Sequence, residues 1–366
     1  MDFYISKEEI VKSLNVTLGL VEKTNLNPIS SCVLFEVDES SLKLTATDTE
    51  NNVSTISTIT NFTSGGTTAV PARKLSDLCR LLPEMSEIHF FLDGYDLKIE
   101  TKSGKYKIST MPSEEFPIFG EVGQQVQFSI SSKNLKSLIS HTAFAISTKF
   151  DPRRPIIGWG LSVDDKTIKA SATCGSRIAI EKIMLNEAVE EKVKGIVPKK
   201  AINEIGKLVA EETDNVLIGL GSNRITVNIS GTTFSSKLLE GRYPPLEEAL
   251  PNVGNSTMVI DKKMLLESLS RVMSLSELKA VKFIVKENLL NVSPAKPEQN
   301  QGEENLPCEY KGNEIEIDFN TRFIQDIVSA IESENINIMF TDDGDSCLIT
   351  DPNSENLIYA VTRVLV

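Results

Sequence analysis

The sequence predicts an α+β chain made of three tandem copies of one unit of about 125 residues, each with two helices on a mainly antiparallel sheet. Three observations predict it: a helix-start signature that recurs three times, strand pairs with turn clusters at matching places, and a shared offset between separated landmarks.

The signature comes first in each copy. Ile5-Ser6-Lys7 leads to Val11-Lys12-Ser13-Leu14, Ile130-Ser131-Ser132-Lys133 to Leu135-Lys136-Ser137-Leu138, and Ile260-Asp261-Lys262-Lys263 to Leu265-Leu266-Glu267-Ser268-Leu269. A short alternating strand precedes each, and a Ser or Asp follows that can accept from the orphan N–H groups of a helix start. Apolar residues then recur at helical spacing, as at Ile10, Leu14 and Leu18.

A strand pair follows: CVLFEVDESSLKLTAT (32–47), GWGLSVDDKTIKASAT (158–173) and AVKFIVKENLLNVS (280–293). Apolar and polar residues alternate on either side of a turn cluster. Each copy then reaches a second helix: VPARKLSDLCRLLP (70–83), VPKKAINEIGKLVA (197–210) and FNTRFIQDIVSAI (319–331). Pro71 and Pro198 fall near the first helical turn, where a missing N–H costs nothing. Phe116-Pro117 and Tyr243-Pro244 close the first two copies. From Ile5 to Ile130 is 125 residues, from Ile130 to Ile260 is 130, and Val70 to Val197 and Phe116 to Tyr243 are both 127. Chance similarity does not hold one period at separated landmarks. The expected domains are 1–125, 126–253 and 254–366.

Bulk properties narrow the function classes. With 366 residues, 40% hydrophobic and 24% charged, the chain is an ordinary globular sequence of two or three domains. No apolar run approaches the roughly 20 residues that span a bilayer. The N-terminus has no basic region ahead of an apolar one, so no secretory leader is expected. Five cysteines without a CxxC pair read as free thiols in a reducing compartment, and the expected location is cytoplasmic. His89 and His141, the two histidines, lie far apart and read as strand and helix residues with structural roles. No P-loop pattern occurs, no cofactor or metal is expected, and Cys174 beside Ser176 lacks a G-x-S-x-G elbow. A non-catalytic protein is the expectation.

The net charge of −13 is unevenly distributed. Over the six expected helices (6–23, 72–82, 132–144, 198–210, 260–275, 321–334) the net charges are 0, +2, +2, +2, +1 and −2, which leaves −18 on the rest. Lys and Arg are also good helix formers on any solvated face. The alternative is a helix-borne basic surface set against an acidic exterior, which attracts phosphates in one place and suppresses sticking elsewhere. Arg73 sits in the first turn of a helix, where a cation opposes the helix dipole, and Lys199 and Lys200 hold the same place in the second copy. Lys23, Arg153 and Arg154 lie in loops and are either solvated charges or contacts with nucleic acid.

VPARK (70–74), LTATD (44–48), RPII-G (154–158), TCGSRIA (173–179), SKLLEGRYP (236–244) and FNTRF (319–323) together resemble the bacterial DNA sliding clamp family, the beta subunit of DNA polymerase III, along the full length. The resemblance implies half of a closed ring: a head-to-tail homodimer around duplex DNA, with helices inward and continuous sheets outward. It implies a processivity factor that contacts DNA without sequence preference through Lys23, Arg73, Lys74, Arg153, Arg154, Lys199, Lys200 and Lys207. It implies a dimer contact with Tyr106 against Val272 and Met273, flanked by Lys74, Lys102 or Lys105 facing Glu298, Glu303 or Glu304, so that Lys74 serves either the interface or DNA.

The same resemblance implies a cleft for short linear motifs, of a Gln-Leu-(Ser or Asp)-Leu-Phe type, of the polymerase catalytic subunit, the clamp loader and repair factors. Its residues are Ile156, Thr173, Gly175, Ser176, Arg177, Ile178, Pro244, Asn320, Phe323, Ser346 and Thr362. The chain departs from the family pattern at Cys174-Gly175-Ser176, at Glu248 and at Thr362-Arg363-Val364-Leu365-Val366, so a shifted motif preference is expected there. The alternative reading is a diverged clamp-like scaffold with altered partners.

Overall fold

The computed structural model describes residues 1–21, 28–117, 120, 123, 125–148, 156–209, 215–254, 256–275, 279–296 and 302–365. Six helices appear among them: α1 (Lys7–Thr17), α2 (Ala72–Leu81), α3 (Ser132–Thr142), α4 (Lys199–Leu208), α5 (Lys262–Met273) and α6 (Thr321–Ala330). They form two per copy on antiparallel sheets. The chain groups into two compact units, residues 1–132 with 203–238, and residues 133–202 with 239–366.

In the first unit, one sheet has the strand order Asn61–Ser64, Asp2–Ser6, Glu87–Asp93, Asp96–Glu100, Lys105–Ser109. The second sheet has eight strands. Its centre pairs Thr232–Lys237 of the second copy with Asn51–Thr58 of the first, Phe234 opposite Val53. The copies therefore share a sheet, which is why compact units and sequence copies do not coincide. Phe3 and Phe90 stack 5.4 Å apart, with Phe35 edge-on to Phe90 at 6.3 Å, all three fully buried.

The second unit repeats the device. Its eight-stranded sheet joins Arg177–Met184 to Ser354–Thr362, Ile178 opposite Ala360. A four-stranded sheet runs in the order Glu304–Pro307, Leu289–Pro294, Ala280–Lys286, Ile315–Asn320. Buried α5 residues Leu265, Leu269 and Val272 and α6 residues Ile324, Ile327 and Val328 supply core, each worth about 1.5–3 kcal/mol of apolar burial.

The helix starts follow from the signature. Ser6 accepts from the Glu9 N–H at 3.3 Å, Asp261 from Met264 at 2.7 Å, and Asn320 from Arg322 and Phe323. All six helices end earlier than expected, two of them by four residues or more. α1 ends at Thr17, whose hydroxyl donates back to Ser13 and Leu14 carbonyls, and a half-turn leads to Gly19. α6 ends at Ala330 because Ile331 turns extended and is buried, so Glu332 and Glu334 lie beyond the helix. The six observed helices then carry fourteen basic against six acidic side chains, net +8, leaving −21 elsewhere.

Two of those lysines are not surface charge. Lys7 Nζ donates to the Leu82 carbonyl at 2.6 Å, just past the end of α2. Lys262 Nζ donates to the Ile331 carbonyl past the end of α6. In the first and third copies, the first lysine of the first helix thus satisfies orphan carbonyls of the second helix.

Candidate functional site

A cavity of about 480 Å³ in the second unit gathers nine of the eleven residues expected in the cleft: Ile156, Thr173, Gly175, Ser176, Arg177, Ile178, Pro244, Ser346 and Thr362. The turn between strands Thr167–Thr173 and Arg177–Met184 shapes one wall. Gly175 has φ +93°, a conformation that disfavours any side chain. Its N–H donates to Thr173 Oγ1 at 3.0 Å, and Thr173 Oγ1 donates to the Arg177 carbonyl at 2.7 Å. Thr362 ties the next strand in, its N–H donating to the Ser176 carbonyl at 3.0 Å.

The other wall is the segment after the Tyr-Pro landmark. Tyr243 donates to the Gly158 and Ser171 carbonyls, and a Cβ on Gly160 would stand 2.6 Å from its ring, so that glycine lets the ring lie on the sheet. Burial pushes the Tyr243 hydroxyl well above the usual phenol range. Glu247 is fixed by Lys169 at 2.5 Å. Burial works against its charge, but the Lys169 bond prevails and its pKa is lowered.

Arg177 holds the floor. It is 8% exposed. Its guanidinium donates to Asp326 at 2.7 Å and to the Phe144 carbonyl, 4.4 Å from the Phe323 ring centroid and 5.1 Å from that of Phe144. Its Nε has no partner among the described residues. Phe323 and Asn320 are outside the lining: Phe323 backs Arg177, and Asn320 caps α6. Sequence reasoning missed Arg242, Leu246, Ala249, Pro251, Ala360 and Val361, which also line the cavity. The apolar residues at 246, 249 and 251 were the readable signal, one face of the turn Leu246–Ala249 and its exit.

Of the basic residues, Lys23, Arg153 and Arg154 lie outside the described residues. Arg73 and Lys74 are exposed on α2, which has no side-chain cap and no acid in its first turn. Lys200 is exposed and Lys199 half-buried at the start of α4. Lys207 is paired with Glu204 at 2.7 Å. Lys12, Arg73 and Lys207 line a second cavity, of about 690 Å³, in the first unit.

The expected dimer residues divide. Tyr106 is 40% exposed on Lys105–Ser109, an outer strand of its sheet. Met273 is half-buried, and Leu275 beyond it is exposed. Val272 is 3% exposed in the chain by itself and belongs to the α5 core stripe. Two expected inter-subunit charges are taken up within the chain, Glu304 by a bidentate Arg271 at 2.7 and 2.8 Å and Lys105 by Glu100 at 2.8 Å. Glu298 lies outside the described residues.

His141 is buried against Glu181 at 3.0 Å and Ser137 at 3.1 Å, and His89 pairs with Asp2 at 2.9 Å. Burial disfavours charge on His141, yet the Glu181 carboxylate outweighs it and the pKa is raised. Among the described residues no cluster has metal-ligand character, and no helix is long and apolar enough to cross a membrane.

These features define a class: a repeated scaffold with a preformed groove and basic helices. Models of the DNA polymerase III beta subunit match in chain order, the N-terminal domain at residues 1–120, the central domain at 129–245 and the C-terminal domain at 247–364, so the chain belongs to that family. It is 31% identical to a beta sliding clamp of Pseudomonas aeruginosa and 29% to one of Escherichia coli, each over 99% of both chains. A crystal structure of the Pseudomonas aeruginosa subunit superimposes with a TM-score of 0.94 over 100% of both chains, and another, bound to griselimycin, with 0.95 at the same 31% identity and coverage.

Proposed function

We infer that the chain is a DNA sliding clamp, the non-catalytic processivity subunit of a replicative DNA polymerase, acting as a head-to-tail homodimer around duplex DNA. The single observation that carries this is the full-length, in-register match of all three copies to that family. The helix-borne charge, net +8 in a chain of net −13, supports a DNA-facing role for Arg73, Lys74, Lys199, Lys200 and Lys207, to which the family resemblance adds Lys23, Arg153 and Arg154. The domains are 1–125, 126–253 and 254–366.

The 480 Å³ cavity is the docking cleft for short motifs of the polymerase catalytic subunit, the clamp loader and repair factors. Tyr106 and Met273 form the apolar part of the dimer contact, and the protein works in the cytoplasm. Sedimentation tests the assembly: a species of about twice the 40.3 kDa chain is expected, and a monomer at micromolar concentration would refute it.

A further inference from the structure

Among the described residues three arginines surround the cleft, and two are already committed. Arg177 is buried and held by Asp326 and the Phe144 carbonyl. Arg363, next to the lining residue Thr362, is paired with Asp345 at 2.8 Å. Arg242 differs from both. It is exposed, it lines the cavity, and among the described residues it has no hydrogen bond or ion pair.

The nearby anions do not neutralise it. Glu247 is held by Lys169 at 2.5 Å, with Lys182 at 3.9 Å. Glu240 and Glu248 are exposed and outside the lining. The rest of the wall around Arg242 is apolar or neutral: Pro244, Leu246, Ala249, Pro251 and Ile156. The segment is also braced, because Tyr243 beside Arg242 is pinned to two sheet carbonyls. Its backbone anchor is therefore set before any ligand arrives, which lowers the ordering cost of an ion pair to its guanidinium.

We propose that Arg242 is a specificity-determining residue of this cleft, selecting linear motifs that carry an acidic side chain flanking their apolar anchors. This rests on reading the cavity as the partner cleft. The apolar wall supplies most of the affinity, and Arg242 supplies the discrimination between acidic and basic flanks. A fork of guanidinium donors suits a carboxylate, so lysine at this position keeps only part of the effect.

The test is fluorescence anisotropy with a labelled Gln-Leu-Ser-Leu-Phe core extended at either end by Asp-Asp, Asn-Asn or Lys-Lys, at low salt, on the full-length chain. For the better of the two extended ends, the Asp form is expected to bind about three- to fivefold tighter than the Asn form, as an exposed ion pair allows. The Lys form is expected to bind more weakly than the Asn form. Arg242→Gln should abolish the Asp preference, so that the Asp and Asn forms bind alike, and Arg242→Glu should reverse it in favour of Lys. Since Arg242 is exposed and has no hydrogen bond or ion pair among the described residues, neither substitution breaks a polar contact there. An unchanged Asp-to-Asn ratio in Arg242→Gln, or equal binding of all three flanks to the unaltered chain, overturns the proposal with the cleft reading intact. Failure of every core peptide to bind overturns the cleft reading itself, and the proposal with it.

Discussion

Arg177→Met removes a guanidinium that joins α6 to the turn after α3. The variant loses a 2.7 Å bond to Asp326, a bond to the Phe144 carbonyl and stacking on Phe144 and Phe323, while the methionine keeps much of the apolar stem. Deleting one partner of a buried ion pair costs about 3–5 kcal/mol. The Asp326 side chain is 29% exposed, so water can resolvate it, which places the cost near 3 kcal/mol at the lower end. Trp159 is the sole tryptophan of the chain, buried in the same compact unit, and its emission follows that unit's unfolding. With a urea m-value of about 2 kcal/mol/M, the midpoint should fall by about 1.5 M. Asp326→Asn, which keeps an acceptor for the guanidinium, should cost less, and the double variant should cost less than the two single losses added. A midpoint within 0.2 M of the unaltered chain, on the same m-value, would refute the role of Arg177 as the fastening of this floor.

Other expectations follow from the same structure. Replacing Arg73, Lys199 and Lys200 together by Ala should leave the dimer intact but lower DNA retention and flatten the slope of log affinity against log salt by up to about 3. Retention equal to the unaltered protein in a loading assay contradicts the DNA-facing assignment. Ile178→Ala and Phe323→Ala should each weaken a Gln-Leu-Ser-Leu-Phe peptide by roughly tenfold, Ile178 by lost contact and Phe323 through Arg177. Unchanged affinity in both would remove the cleft assignment. The His141 pKa is raised in the folded state, so its contribution to stability is complete below the ordinary value of 6.5 and is lost as pH rises through the folded value. The stability deficit of His141→Gln, read by Trp159 emission, should therefore shrink between pH 6 and 9. A deficit that grows with pH is the contrary result.

Local pattern made much of the fold legible. Alternation marked the strands, and Ser6, Asp261 and Asn320 stand where the helix starts need acceptors. What escaped the sequence was long-range. The roles of Lys7 and Lys262 were not legible because the carbonyls they satisfy are 75 and 69 residues away. Arg177 does line the cleft, but the sequence did not show that its guanidinium is occupied by an aspartate 149 residues distant. Val272 is a different case. Its spacing from Leu265 and Leu269 is that of the buried α5 stripe, a local signal that the resemblance did not use. The cleft carries the same lesson. Nine residues carried over from the family converge on one cavity, while Arg242 emerged only in the folded chain, beside a Tyr243 ring pinned to the sheet. The helices are more basic than their expected boundaries gave, because Glu332 and Glu334 fall outside α6 and Asp261 serves as a cap.

The central claim is topological: a ring holds DNA by encircling it, with weak contacts inside. The most direct measurement loads the protein onto a nicked circular plasmid with its clamp loader, isolates the complex, and cuts the plasmid once. The account predicts stable retention on the circle and rapid loss from the linear product, at salt concentrations that suppress simple phosphate binding. Equal retention on circular and linear DNA would contradict it.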